Sequence, residues 1–273
     1  MKIMSNDFLK RTITGIVFVS ISYFCVVYSK YSLYFFLVAM SLIGNYEFYK
    51  MTKMSKIGWA FTNVFTVLLF LYIIDKNRYL ELAIIFFLFI NFLIPLFRKS
   101  IENPFDYLGK IFISTIYVTL PLLLIFEVIQ IELSKEHNKI ILSIFILIWS
   151  NDSFAYLIGK YFGKKKLFKK LSPQKTLEGF LGGIFFSYLI SYFMYIFWIN
   201  NKLTITLWFI LVSIIVVTSI FGDLIESMLK RFAQTKDSGR ILPGHGGILD
   251  RIDSFLFVCP FVYLFFKLIY HDT

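Results

Sequence analysis

Charge is scarce in this sequence. Only 16% of its 273 residues are Asp, Glu, Lys or Arg, against 58% that are hydrophobic. A water-soluble domain carries about 25% charged residues, so a soluble globular fold is excluded. Disordered and nucleic-acid-binding classes go with it, despite a net charge of +11. Cysteine is nearly absent: Cys25 and Cys259 both lie in apolar stretches, where a thiol behaves as a small hydrophobe. No disulfide framework, C-x-x-C pair or zinc spacing is present. There is no internal repeat, and no polar stretch is long enough to form a separate soluble domain.

What the chain has in abundance is apolar length. The mean hydropathy is +0.73 and there are 34 phenylalanines. A membrane-crossing helix needs about 20 predominantly apolar residues, and nine stretches qualify: roughly 12–29, 31–49, 57–74, 79–97, 111–131, 140–158, 177–199, 203–221 and 252–270. The expected fold is an all-α polytopic membrane helix bundle of about nine transmembrane helices. Residues 1–139 supply five helices, and residues 140–273 supply four together with the polar motifs, all within one integrated membrane domain. The first stretch follows Lys10 and Arg11 as a secretory signal would, but no A-x-A-like cleavage site follows Tyr28. A retained signal anchor is expected.

Nine spans sort the connectors into two alternating sets, and about three quarters of the 28 lysines and arginines fall in one of them. The minority set holds only Lys30, Lys76, Arg78, Lys135, Lys139, Lys202 and Lys267. The positive-inside rule then places the N-terminus and both long loops, 159–176 and 222–251, in the cytoplasm. Glu47 and Glu81 interrupt early spans near helix ends. There a carboxylate reaches the interface cheaply, and a structural role is expected for both.

Chemistry-bearing residues concentrate in the second half, in three clusters. The first is Asn151-Asp152-Ser153 inside the sixth span, continuing through Tyr156 and Gly159-Lys160 to Gly163. An aspartate in an apolar helix costs about 2.5–3.5 kcal/mol on insertion scales, so Asp152 is expected to face a cavity, an ion or a partner. A structural pairing with a lysine is the alternative. The second cluster is a lysine run, 164–170, followed by Ser172-Pro-Gln-Lys175-Thr176-Leu-Glu178-Gly179. The run suits a solvated face or an anionic-lipid surface. Ser172, Lys175 and Thr176, at the mouth of the seventh span, suit a phosphate, although Thr176 as a plain N-cap explains part of the pattern.

The third cluster runs from Gly222 to Ser254. If the eighth helix continues to residue 231, then Asp223, Glu226, Ser227, Lys230 and Arg231 share one face. Asp250 and Asp253 share another at the start of the ninth. Several carboxylates at one membrane face, without a histidine or cysteine partner close in spacing, are hard oxygen ligands suited to Mg²⁺. The adjoining Lys230, Arg231, Lys236 and Arg251 would neutralise phosphates. Carboxylates for metal beside cations for phosphate describe a phosphoryl- or nucleotidyl-transfer site. The turn Pro243-Gly244-His245-Gly246-Gly247 offers positive φ and close backbone approach, with amides suited to cradling phosphate. His245 suits hydrogen bonding or ligand contact better than metal ligation.

The segment S-x-L-K-R-x4-K-D-x-G-x2-L-P-G-H-G-G-x-L-D-R-x-D, Ser227 to Asp253, resembles the C-terminal motif of phosphatidate cytidylyltransferases, also called CDP-diacylglycerol synthases. The pieces Asp152–Gly163 and Ser172–Gly179 resemble that family in the same order, and the motif regions cover about 120 residues. Residues before 140 match only in being hydrophobic spans. The resemblance implies transfer of CMP from CTP to phosphatidic acid at the cytoplasmic face of the membrane, giving CDP-diacylglycerol and pyrophosphate. It ties Asp223 and Asp250 to a divalent metal centre with Asp253 close by, and it associates a monovalent cation such as K⁺ with the Mg²⁺. Candidate catalytic residues are Asp223, Asp250, Asp253, Lys230 and Arg231. Candidate substrate contacts are Asp152, Lys160, Ser172, Lys175, Thr176, Glu178, Ser227, Lys236, Asp237, Gly244, His245, Gly246, Gly247 and Arg251. Family analogy extends to a homodimer, for which the sequence has no clear small-xxx-small seam. The bacterial inner membrane is the expected location. Alternatives are a CTP-dependent lipid or polyprenol kinase and, further off, a cation-coupled transporter, whose site would lie near the bilayer midplane between paired repeats.

Overall fold

The computed structural model describes residues 6–99, 101–130, 137–168, 172–199, 203–244 and 246–270. His245, Lys169 and Lys170 lie outside the described residues, as do Lys2, Lys135 and Lys202. The helices are α1 (Asn6–Tyr28), α2 (Lys30–Thr52), α3 (Lys56–Asp75), α4 (Arg78–Phe97), α5 (Pro104–Ser114), α6 (Leu120–Gln130), α7 (His137–Phe162), α8 (Leu177–Met194), α9 (Ile205–Phe232) and α10 (Leu249–Tyr270). A π-helical turn, Thr115–Thr119, joins α5 to α6, and another, Tyr195–Ile199, extends α8. Among the described residues, eight helical stretches are long and apolar enough to cross a membrane. Each coincides with one of the expected spans. The stretch expected at 31–49 folds as α2, also 23 residues long, but Asn45, Glu47 and Lys50 lower its apolarity and it is not among the eight.

The helix starts are legible in local chemistry. Ser29, Ser55, Asn77, Asn103, Thr176 and Thr204 each accept a first-turn backbone N–H through the side-chain oxygen. This satisfies donors that a lipid-exposed helix end would leave unpaired. The polar loop before α8 adds a two-stranded antiparallel sheet, β1 (Lys166–Phe168) against β2 (Ser172–Thr176), with Lys166 opposite Thr176.

The chain forms two compact units. One comprises Met1–Glu127 with Asp237–Arg251, the other Val128–Lys236 with Ile252–Thr273. The first is held by a buried polar network. The Asn45 amide donates to Thr66 Oγ1 (3.0 Å) and Thr119 Oγ1 (3.1 Å), and Ser114 Oγ donates to Asn45 Oδ1 (2.8 Å). Hydrocarbon offers helices no hydrophobic reason to associate, so such bonds, about 0.6–2 kcal/mol each, and close packing do the work.

In the second unit, glycines do that packing. Gly179, Gly182 and Gly183 let α8 lie against α7: a Cβ at Gly183 would stand 2.6 Å from Asn151 Oδ1, and one at Gly182 would stand 2.7 Å from Ile158. Contrary to the expectation of no clear small-xxx-small seam, Gly179 and Gly183 form one, and α7 of the same chain meets it. Trp208 adds a fully buried anchor, its indole N–H donating to the Ser191 carbonyl at 2.9 Å.

Candidate active site

Gly222 sets the geometry. A Cβ there would stand 2.7 Å from Ser254 Cα and 2.8 Å from the Asp253 carbonyl oxygen, so α9 and α10 pass in near backbone contact. Only glycine allows that approach. Asp223 is the next residue on α9, and Glu226 follows almost one turn later. One carboxylate oxygen from each of Asp223, Glu226 and Asp253 lies within 4.8 Å of the others. Glu226 is 2% exposed, and its two companions are half-buried.

Two lysines meet this group. Lys175 pairs with Asp223, and Lys230 Nζ donates to Glu226 Oε2 at 2.6 Å. The local fold explains how Lys175 is aimed. Thr176, at the end of β2, is buried and caps α8 by accepting the Gly179 N–H at 3.1 Å. The Glu178 carboxylate accepts the backbone N–H groups of Lys164 at 2.9 Å and Lys165 at 3.2 Å, which ties the hairpin to the helix. Thr176 and Glu178 therefore fix the end of β2 from which Lys175 reaches Asp223. On α10, Asp253 Oδ1 accepts the Ser254 N–H at 2.7 Å. Asp152 on α7 is exposed, and its electrostatic neighbours include Asp223 and Lys175.

Two like charges about 4 Å apart repel by about 4 kcal/mol at an effective dielectric of about 20. Mutual repulsion of this kind among the three carboxylates, with Asp152 nearby, is what a bound cation would relieve. The set is made entirely of hard oxygen donors, one of them almost fully withdrawn from water, and this is the donor chemistry of Mg²⁺.

Asp250 belongs to the other unit. Its Oδ2 accepts the Gly247 N–H (2.8 Å), the Ser238 N–H (3.0 Å) and the Ser238 hydroxyl (2.9 Å). Gly244 and Gly246 take φ of +78° and +88°, the left-handed conformations expected of the turn. The amides after the turn are engaged within the protein. Ile248 and Leu249 donate to Glu47 Oε1 and Oε2, both at 2.9 Å. Among the other candidates, Lys160, Arg231, Lys236, Asp237 and Arg251 are exposed, whereas Ser172 and Ser227 are half-buried. Lys160 Nζ lies over the rings of Tyr156 and Tyr161, 5.8 and 5.7 Å from their centroids.

Sequence reasoning placed Glu226 on the Asp223 face without naming it as a ligand. The i, i+3 spacing was the available signal. Glu47 carried none beyond being a carboxylate in an apolar stretch, and the expected escape to the interface does not occur: it is 1% exposed. Glu81 does stand exposed in the first turn of α4.

Comparison with known proteins gives the same order of features a family. A protein named phosphatidate cytidylyltransferase from Bacillus subtilis (strain 168) is 34% identical over 276 residues, covering 96% of this chain and 98% of the relative. Proteins of that name from Staphylococcus aureus (strain COL) and Staphylococcus epidermidis (strain ATCC 12228 / FDA PCI 1200) are 39% and 40% identical, covering 62% of this chain and 64% of theirs. The model of the cytidylyltransferase family matches residues 9–269, from the first membrane helix to the end of α10. The chain belongs to the cytidylyltransferase family.

Proposed function

We propose that this chain transfers CMP from CTP to phosphatidic acid, forming CDP-diacylglycerol and pyrophosphate, an early step of phospholipid biosynthesis. The observation that carries the reading is the Asp223–Glu226–Asp253 group with Lys175 and Lys230 at its edge. The names of the bacterial relatives support phosphatidic acid and CTP as the substrates. The apolar helices make this an integral membrane protein. The bias of basic residues toward one set of loops supports a cytoplasmic active site, and the bacterial relatives support the inner membrane.

An ionised phosphate oxygen of the lipid attacks the α-phosphorus of CTP. The bond from that phosphorus to the oxygen bridging to the β-phosphate breaks, and pyrophosphate leaves. The nucleophile is already charged, so no general base is required, and positioning and electrostatics carry the rate. Asp223, Glu226 and Asp253 would hold Mg²⁺, which when bound supplies charge neutralisation for the transferring and departing phosphates. Lys175 and Lys230 stand where phosphates meet the carboxylates, and the exposed Arg231 extends that cationic edge. Asp250, through Oδ2, holds the signature loop.

CTP labelled separately at its α- and γ-phosphates tests the reaction type in purified protein supplied with phosphatidic acid. The reading expects α-label in the lipid and γ-label in pyrophosphate. Entry of γ-label into the lipid would replace it with the kinase reading.

A further inference from the structure

Within the first unit, α2 and α3 form the walls of an open groove of about 560 Å³, almost wholly apolar. The volume is that of a small-molecule site, about 300–1,000 Å³. Leu42 and Ile43 line it from α2, Val64, Val67 and Leu68 from α3, and Ile241 from the loop of the same unit. Trp59, Asn63 and Val67 stand at i, i+4 and i+8 and form one stripe along α3. Trp59 lies near the start of that helix, and Leu68 is about 13 Å further along it. Val64, Val67 and Ile241 are exposed. Beside a helix long and apolar enough to cross the membrane, the medium that meets such a wall is acyl chain.

The mouth of the groove has a different chemistry. The Trp59 ring stacks on Tyr49, with centroids 5.4 Å apart, and meets Tyr46 edge-on at 5.9 Å. Lys50 Nζ lies over both tyrosines, 5.5 Å from the Tyr46 centroid and 5.3 Å from that of Tyr49. Lys50, Lys53 and Lys56 are all exposed, and no aspartate or glutamate occurs from residue 48 to residue 74. Aromatic rings with cations at the end of an apolar groove match a lipid headgroup region, where basic side chains attract anionic lipids. Two buried polar atoms of the groove residues have no hydrogen-bond partner, the Trp59 indole N–H and Asn63 Oδ1. A turn of the indole brings its N–H to face the groove, where a lipid's ester carbonyl is an acceptor. The Asn63 amide, turned about its last torsion, offers an N–H to a second ester.

We propose that this groove holds one anionic diacyl phospholipid of the surrounding membrane as a resident ligand. One acyl chain lies between α2 and α3, an ester sits at Trp59, and the headgroup phosphate meets Lys50 and Lys53. Charge complementarity selects the anionic headgroup, and the two unpartnered polar atoms select an ester-bearing lipid over bare hydrocarbon. The occupant is a membrane lipid rather than the reacting phosphatidic acid, because the lining includes none of Asp223, Glu226, Asp253, Lys175 and Lys230.

The test uses the full-length protein in detergent, supplied with phosphatidylglycerol or phosphatidylcholine and read by native mass spectrometry. One phosphatidylglycerol should be retained per chain, with phosphatidylcholine held at least about fivefold more weakly. Lys50→Gln, at an exposed position, should cut that preference about fivefold, the share of one lysine near a headgroup. Val64→Trp fills the groove and should abolish the retained lipid, with the thermal midpoint close to wild type. No retained lipid in the wild type, equal retention of the two lipids, or full retention in Val64→Trp overturns the proposal.

If Val64→Trp does not fold, Lys50→Gln decides alone, and an unchanged preference overturns the proposal. A substrate site looks different. The folded Val64→Trp protein would then show a raised phosphatidic acid KM, a result that replaces the resident lipid with the substrate. The binding readouts themselves stand whichever reaction the protein catalyses.

Discussion

Asp223 joins three features of the site. It follows the glycine that brings α9 onto α10, it pairs with Lys175, and it contributes to the oxygen group with Glu226 and Asp253. Asp223→Asn keeps the shape and removes the charge. Transfer should fall by about 100-fold or more, the scale seen when one electrostatic contact to a transition state is deleted, with expression and elution in detergent unchanged. Near-normal turnover would remove Asp223 from the metal set. Lys175→Met is expected to lower transfer as well, and its effect should shrink sharply in an Asp223→Asn background because the two side chains act as a pair. Additive losses in that double-mutant cycle would mean that Lys175 works apart from Asp223.

At the level of elements, helix seams decide the fold, and glycine and short polar residues decide the seams. Gly183→Leu drives a branched side chain into Asn151 and Ala155 of α7. Overpacking of this kind costs about 1–3 kcal/mol, so the thermal midpoint in detergent should drop, and a midpoint equal to wild type would show that α7 and α8 have room to separate. Asn45→Ala removes an amide that three hydroxyl-bearing neighbours share in the other unit. A loss of about 1–3 kcal/mol is expected from the partners left buried, read as the same kind of shift.

The elements themselves were largely legible in the sequence, because a run of about 20 apolar residues has few structures open to it in a membrane. Eight expected spans coincide with apolar helices of sufficient length. Two features were not legible. The β1–β2 hairpin lies in a lysine-rich loop whose pattern reads as solvated charge, and Glu178 reaches back to the backbone of Lys164 and Lys165 beside it. The packing of 237–251 with the N-terminal half depends on Glu47, which looks in sequence like any carboxylate near a helix end. Spacing put Asp223 on one helix face and Asp250 with Asp253 on another, without showing that Asp253 rather than Asp250 lies in the described carboxylate group. Glu226 needed the α9–α10 crossing to show which carboxylates converge.

For the whole molecule, the distribution of charge carries a topological prediction. With Cys25 and Cys259 replaced by alanine, a cysteine at Lys165 should resist a membrane-impermeant maleimide in intact cells and react after permeabilisation, whereas one at Lys76 should react at once. The opposite pattern would invert the orientation. The central claim is that a membrane-embedded enzyme runs cytidylyl transfer on a divalent ion held by Asp223, Glu226 and Asp253. Its most direct test is the Mg²⁺ concentration that gives half-maximal transfer of α-label from CTP to phosphatidic acid, compared between wild type and Glu226→Gln. The account predicts strict Mg²⁺ dependence and a half-point at least about tenfold higher in the variant, or no transfer at any Mg²⁺ concentration. Metal-independent transfer, or a variant whose Mg²⁺ half-point matches wild type, would contradict it.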